Sequence, residues 1–389
     1  MTLFTEEIRR NPYPMYAELC RGGAGVVHVD HLGLSMILDH DGVKRALHDT
    51  DAFSSSHATS HGPSFEWLLF LDPPRHAQLR AIVNRAFTPR SIAALEGRIH
   101  ALSGALADRL LAAGAGEVDL VAGFAQPLPM LVIADMLGLP HEDAPRLAGW
   151  SDAILGLANT ITKVGAAAAE AAFAAAQREL AAYLDEQLEE RRRDPTDDLL
   201  TRLVQAEVDG QELTEREILH FFELLLVAGT ETTTNLISNA VVCLAEHPAA
   251  LARLRADPAL LPTAVEEVLR FRSSVQAAFR VTRRPVELGG RELPAGRFVL
   301  FMLGAANRDG AQFADPDRFD VGRAPNPHLA FGYGIHFCVG APLARLEAQI
   351  ALADLLARMP AFELATPAWP RHPAFHILGP SALPIRFTT

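Results

Sequence analysis

Apolar residues recur at helical spacing through residues 92 to 113, 166 to 190, 217 to 246 and 342 to 358. Each run predicts a helix with at least one buried face. Alternation replaces that period in VVHVDHLGLSMIL and in PVELGGRELPAGRFVLFML, which predicts strands, and Gly289-Gly290 predicts a tight hairpin turn. The Ala-rich stretch from Gly165 to Ala176 is the nearest approach to low complexity, and alanine's helix preference makes it a solvated helix. Residues 217 to 247 are apolar on most faces. Glu223 and Glu231 interrupt them, and no charge-free run reaches the roughly 20 residues a bilayer requires. This segment predicts a long helix through the middle of a soluble protein. The whole pattern predicts a mainly α chain with small β-sheets, an α+β class.

The chain has 389 residues, 49% of them hydrophobic, and no Pro/Gly/Ser-rich linker divides it, so one domain over residues 1–389 is expected. No repeat of solenoid length occurs. A formal net charge of −12 argues against non-specific nucleic-acid binding. Cys20, Cys243 and Cys338 are far apart and form no CxxC pair, which argues against a disulfide framework or a structural zinc site. The opening MTLFTEEIRRNPYPMY carries charges and prolines where a signal peptide has an apolar stretch, so the expected location is the cytoplasm, with no membrane contact.

Cys338 sits in FGYGIHFCVGAPLARLEAQIAL, just ahead of a helical pattern. Pro342 suits a first turn, and Leu343, Leu346, Ile350 and Ala353 continue the period. Backbone amides and the helix dipole at such an N-terminus stabilise an anion, so the thiol is expected to have a lowered pKa. Gly332, Gly334 and Gly340 let backbone approach a bulky flat group. The setting suits a thiolate metal ligand, although an isolated cysteine is more often a small buried hydrophobe.

Taken together, FGYGIHFCVG resembles the haem-binding loop of the cytochrome P-450 family. The resemblance extends over nearly the whole chain. It implies haem b (iron protoporphyrin IX) with Cys338 as proximal thiolate, Phe331 packed on the porphyrin and His336 near a propionate. Thiolate ligation favours O–O cleavage over reversible O2 binding. AVEEVLR matches the family's ExxR motif through Glu267 and Arg270, and FADPDRF suggests Arg318 as third member of a buried Glu-Arg-Arg network. VAGTETTTN resembles the oxygen-activation motif, with Ala228, Gly229, Glu231 and Thr232 aligned. By that resemblance Gly229 leaves space over the haem, and Glu231 with Thr232 delivers the two protons that O2 cleavage consumes. A mid-helix Thr232 can also simply bond the Ala228 carbonyl and bend the helix. In FLDPPRHAQLR, His76 and Arg80 match the propionate-binding pair, with Arg280 as a third contact.

Pocket positions implied by the resemblance are Phe65, Trp67, Leu68, Leu224, Val227, Val275, Gln276, Ala278, His376 and Ile377, a lining mainly apolar with a few polar points. The implied substrate is a fatty acid, terpenoid, steroid or polyketide-like molecule. The chain carries neither a flavin or nicotinamide fingerprint nor a cluster-binding cysteine set, so electrons are expected from a ferredoxin or flavodoxin with its NAD(P)H reductase. Three functions compete: an O2-dependent monooxygenase, a peroxide-driven peroxygenase on the same scaffold, and a non-catalytic haem or ligand-binding sensor. The acid-alcohol pair favours the first.

Overall fold

The apolar run of residues 217–246 forms one helix, Glu215–Glu246, in a computed structural model that describes residues 5–21, 23, 25–56, 66–112, 116–156, 166–208, 210–371, 374 and 376–388. Thr214 caps it: its hydroxyl accepts the Glu217 amide at 3.2 Å while Glu217 accepts the Thr214 amide at 3.0 Å, a reciprocal box. The helix is buried on most faces because it packs against Pro127–Leu137, Ala144–Gly156, Leu261–Phe271 and Ala341–Arg358. The other expected helices appear as Pro89–Ala112, Ala166–Arg193 and Ala341–Arg358. No described helix is long and apolar enough to cross a membrane.

The alternating segments form a five-stranded sheet in the order Val26–Val29, Leu34–Ile37, Phe298–Phe301, Ala278–Thr282, Phe53–Ser54. Its one parallel pairing joins Leu34–Ile37 to Phe298–Phe301, and the others are antiparallel. Val286–Leu288 and Arg291–Leu293 form the expected hairpin, with Gly289 and Gly290 at φ +56° and +70°, the left-handed pair that a two-residue turn of this hand requires. A three-stranded sheet joins Ala361–Leu364, Pro384–Thr388 and Glu117–Asp119. The architecture is thus mainly α with small sheets. Its largest apolar cluster runs from the helix bundle around the central helix to the Cys338 helix.

Candidate active site

Cys338 is held by a loop that folds back on itself. Its amide donates to the Phe331 carbonyl at 2.9 Å, and Gly334–His336 make a single 3-10 turn between them. Gly334 has φ +72°, and a Cβ there would lie 2.9 Å from the Leu47 carbonyl oxygen, so conformation and contact both demand glycine. Gly340 is under no such constraint from the protein: a Cβ would meet only Cys338 Sγ, at 3.9 Å. The following helix, Ala341–Arg358, has Pro342 in its first turn.

The amides of Gly340 and Ala341 do bond the Cys338 sulfur and pull its pKa down, helped by Arg80 and Arg345. Burial outweighs them and the thiol is pushed up, which corrects the expectation of a thiol acidified by its helix terminus alone. A metal ion bonded to sulfur supplies the missing charge. A thiol already surrounded by amide donors suits that ligation.

Four side chains able to carry positive charge converge beside this loop. His76, on helix Arg75–Ala86, lies against His336 with ring centroids 4.2 Å apart and planes tilted by 52°. Arg80, one turn along, donates to the Phe337 carbonyl at 2.7 Å, and Arg280 enters from strand Ala278–Thr282. Burial and then Arg280 push His336 down to about 3, and burial pushes Arg280 down to about 10. His76 is lowered by burial and then by Arg80, and its Nε2 is buried with no hydrogen-bond partner. Donors crowded together and depressed in this way, one of them orphaned, fit an anion bearing carboxylates. Asp72 positions the cluster: it accepts the Ser55 amide at 2.9 Å and an Arg283 N–H at 2.5 Å, and Ser55 Oγ lies 2.9 Å from His336 Nε2. Sequence reasoning missed Asp72 and Ser55, which carry no signal outside the fold.

Glu267 and Arg270, both fully buried, form a two-bond pair at 2.8 Å each. Arg318 is not its third member. Its side chain is 66% exposed and reaches Asp320 at 3.7 Å; only its backbone carbonyl enters the network, accepting Arg270 at 3.1 Å. The third guanidinium is Arg323, whose Nε lies 3.2 and 3.1 Å from the two Glu267 oxygens. Next to this network, Glu266 accepts from Arg345 at 2.6 Å and faces His328 Nε2 at 3.1 Å, and Arg345 lies 4.6 Å from the Phe331 ring centroid. The helix Leu261–Phe271 therefore grips the cysteine loop at two adjacent residues.

On the central helix, Thr232 Oγ1 donates to the Ala228 carbonyl at 2.7 Å, the back-bonding geometry expected of a mid-helix threonine. Asn235 Nδ2 donates to Glu231 Oε1 at 2.6 Å, and burial raises the Glu231 pKa. The Asp152 carboxyl, on helix Ala144–Gly156, is raised first by partial desolvation against the protein and then by the Glu231 charge, so the two carboxylates are electrostatic neighbours. Gly229 does not face the open side. A Cβ there would lie 2.8 Å from Ile133 Cδ1, so the glycine serves the crossing with helix Pro127–Leu137, while Ala228 is the exposed position.

The family model for Cytochrome P450 matches residues 26–367. The chain belongs to the cytochrome P450 family. The P450 chain is 44% identical over 329 residues to the cyclomarin C epoxidase CymV of Salinispora arenicola, covering 82% of this chain and 80% of that protein. It is 40% identical to the monooxygenase PikC of Streptomyces venezuelae, covering 98% of this chain and 92% of that protein. The structure of CYP109E1 from Bacillus megaterium in complex with testosterone shares 40% identity and a TM-score of 0.86, over 97% of this chain and 100% of that one. The P450 monooxygenase family implies a haem cofactor, and the donor cluster and thiol described above fit it.

The expected substrate wall of this P450 is divided by the structure. Phe65 lies outside the described residues. Leu68 lines a small cavity together with Leu79, Ile82 and Phe221. Trp67 and Val227 are buried, and Leu224 is half-buried. Val275 pairs with Ile377 in an isolated bridge, and Val275 and Ala278 are half-buried. Gln276 points the other way: its Oε1 accepts the Tyr16 hydroxyl at 3.0 Å and its Nε2 donates to the Ser273 carbonyl at 2.6 Å. Strand-like alternation puts it on the opposite side from Val275, so it braces the wall from behind, and its amide is no polar point in the pocket. The Gln276 backbone N–H donates to the His376 carbonyl at 2.8 Å, and the His376 ring sits edge-on to Phe279 at 5.4 Å.

Proposed function

We propose that this P450 binds haem b through Cys338, receives electrons from a ferredoxin or flavodoxin with its NAD(P)H reductase, and uses O2 to hydroxylate or epoxidise an apolar small molecule. Fatty acids, terpenoids, steroids and polyketide-like molecules are the substrate classes. The epoxidase CymV and the testosterone complex of CYP109E1 support that range, and steroids are the first compounds to screen.

The observation that carries the reading is the acid-alcohol pair in the middle of the central helix. Haem, when bound, supplies oxygen activation, and a thiolate ligand promotes O–O cleavage. This chain's own residues supply the protons. The Thr232 hydroxyl proton is engaged by the Ala228 carbonyl, which leaves its oxygen free to accept a hydrogen bond and hold a water. Glu231 keeps its proton to higher pH than an ordinary carboxyl because it is buried, and Asn235 fixes its orientation. Asp152, exposed and within the electrostatic reach of Glu231, is the group proposed to reload it. A peroxygenase or a sensor needs no such relay.

Electron delivery is assigned to the cysteine-loop face. Tyr333, Ile335 and Phe337 are exposed there, with Lys44 Nζ 5.0 Å from the Tyr333 ring centroid. An apolar patch beside cationic side chains suits an acidic electron-transfer protein. The test of the reading is the absorbance difference spectrum of the reduced, carbon monoxide-bound protein beside Cys338→Ala. A Soret band far to the red in the wild type and absent in the variant supports thiolate-ligated haem. A neutral-ligand spectrum in both overturns it.

A further inference from the structure

Glu223 is a carboxylate that the reaction does not use. It is 0% exposed, and no cation forms an ion pair with it among the described residues. Its two oxygens are each taken by a neutral donor: Oε2 accepts the Trp67 indole N–H at 3.0 Å and Oε1 accepts the Gln177 amide at 3.1 Å. Those donors come from different elements, Trp67 from the segment ahead of helix Arg75–Ala86 and Gln177 from helix Ala166–Arg193. One side chain of the central helix therefore ties together two elements on either side of it.

The tie is continued toward the helix start. Arg216, His220 and Glu223 stand at i, i+4 and i+7, on one helical face. Arg216 reaches Glu66 at 3.3 Å, and His220 Nδ1 lies 3.9 Å from the same carboxylate. Glu66 and Trp67 are thus seamed to two successive turns. In the other direction Val227 follows Glu223 by one turn, so the Trp67 anchor lies one turn above Val227. Trp67 also stacks on Phe70, with ring centroids 5.9 Å apart and planes 10° apart.

A buried carboxylate with only neutral donors is costly, and an apolar residue in its place would strand the Trp67 indole N–H and the Gln177 amide. What Leu or Met cannot do is accept two N–H groups that arrive from two elements. We infer that Glu223 is a positioning residue that clamps Trp67 and the Gln177 helix against the central helix, and so sets how readily ligands pass the Trp67 wall of the pocket. The inference rests on the reading of Trp67 as a pocket residue above.

Glu223→Leu and Trp67→Phe each break the indole bond, the first at similar side-chain size and the second with loss of one ring of the indole. Glu223→Gln is the conservative rescue: its amide oxygen accepts from Trp67 while its NH2 donates to Gln177 after that amide turns over. The experiment is stopped-flow binding of imidazole to the ferric holoprotein, with hydrogen exchange of the segments around Trp67 and Gln177 as a second readout. Association and dissociation are expected to rise together in Glu223→Leu and in Trp67→Phe, by about fivefold, or ~1 kcal/mol. The double variant is expected to add nothing further, Glu223→Gln to keep wild-type rates, and exchange to quicken in both segments only where the clamp is broken. Unchanged rates in Trp67→Phe, or additive effects in the double variant, overturn the clamp. A wild type lacking the thiolate-type Soret band would instead fail the functional reading, so the two failures are told apart; should Glu223→Leu not fold, Trp67→Phe carries the test alone.

Discussion

Arg323 Nε contacts both carboxylate oxygens of Glu267, at 3.2 and 3.1 Å, and completes a buried network in which Arg270 is already bound by two parallel bonds. Arg323 also donates to the carbonyls of Ala314 and Arg318, at 2.7 and 3.1 Å, and so fastens the loop that precedes the cysteine segment. Without Arg323 the Glu267 carboxylate is still neutralised by Arg270 but loses a donor, as do the carbonyls that Arg323 holds, so Arg323→Ala should destabilise by about 1–3 kcal/mol and reduce haem incorporation. Arg318→Ala, whose side chain is mostly in solvent, should change stability by no more than about 0.5 kcal/mol. Denaturant unfolding of the two variants decides between them; equal losses would restore Arg318 to the network.

Glu347, on the cysteine helix, is fully buried, its Oε2 has no partner, and burial raises its pKa to about 8. An unfolded chain releases that proton near ~4.3. Below that value both states are protonated and the group has no effect. Between the two values only the unfolded state ionises, so stability declines by about 1.4 kcal/mol per pH unit until the folded carboxyl also titrates. Glu347→Gln should abolish this slope, becoming the more stable protein at pH 8 but not at pH 4. Parallel slopes in urea unfolding series across that window would show that Glu347 finds a partner in solution.

Gly229 faces Ile133, so its role is in helix packing. Gly229→Ala adds a methyl that Ile133 Cδ1 must vacate, which offsets the helix-propensity gain of about 1 kcal/mol. In an Ile133→Val background, which removes Cδ1, the same substitution should become stabilising. Carbon monoxide affinity of the reduced protein should stay unchanged in both backgrounds. A fall in that affinity in both would put Gly229 back over the ligand-binding side.

What was legible in the sequence was local. The helix period through residues 217–246, the Gly289-Gly290 hairpin and the cysteine at a helix start all follow from neighbours along the chain, and the fold places them so. The misreadings involve partners brought from afar. Two arginines stand close together before the cysteine loop, and nothing in their order says which guanidinium turns inward. Gly229 is a packing glycine only because Ile133 crosses it. Position along the chain points Gln276 into the pocket, but its sidedness is fixed by the Val275–Ile377 bridge and by Tyr16. The amide effect on Cys338 was correctly expected, while the larger opposing effect of burial is a property of the whole assembled core.

The proton relay makes the sharpest demand on chemistry. In the proposed relay Glu231 donates only while protonated, and burial raises its pKa, so product formed per NAD(P)H consumed should be highest at lower pH and fall as pH rises through that raised value. Glu231→Gln cannot donate in this way; its coupling should be lower and should lose the alkaline limb. Thr232→Ala removes the hydroxyl proposed to hold a water, and should lower the product yield by at least about tenfold while NAD(P)H oxidation continues and peroxide accumulates. Parallel assays of NAD(P)H, peroxide and product across pH give the decision once a substrate has been found by spectral titration. Full, tightly coupled turnover in Thr232→Ala, or an undisturbed alkaline limb in Glu231→Gln, would mean that protons reach the site by a route independent of this pair and that Thr232 only shapes the helix.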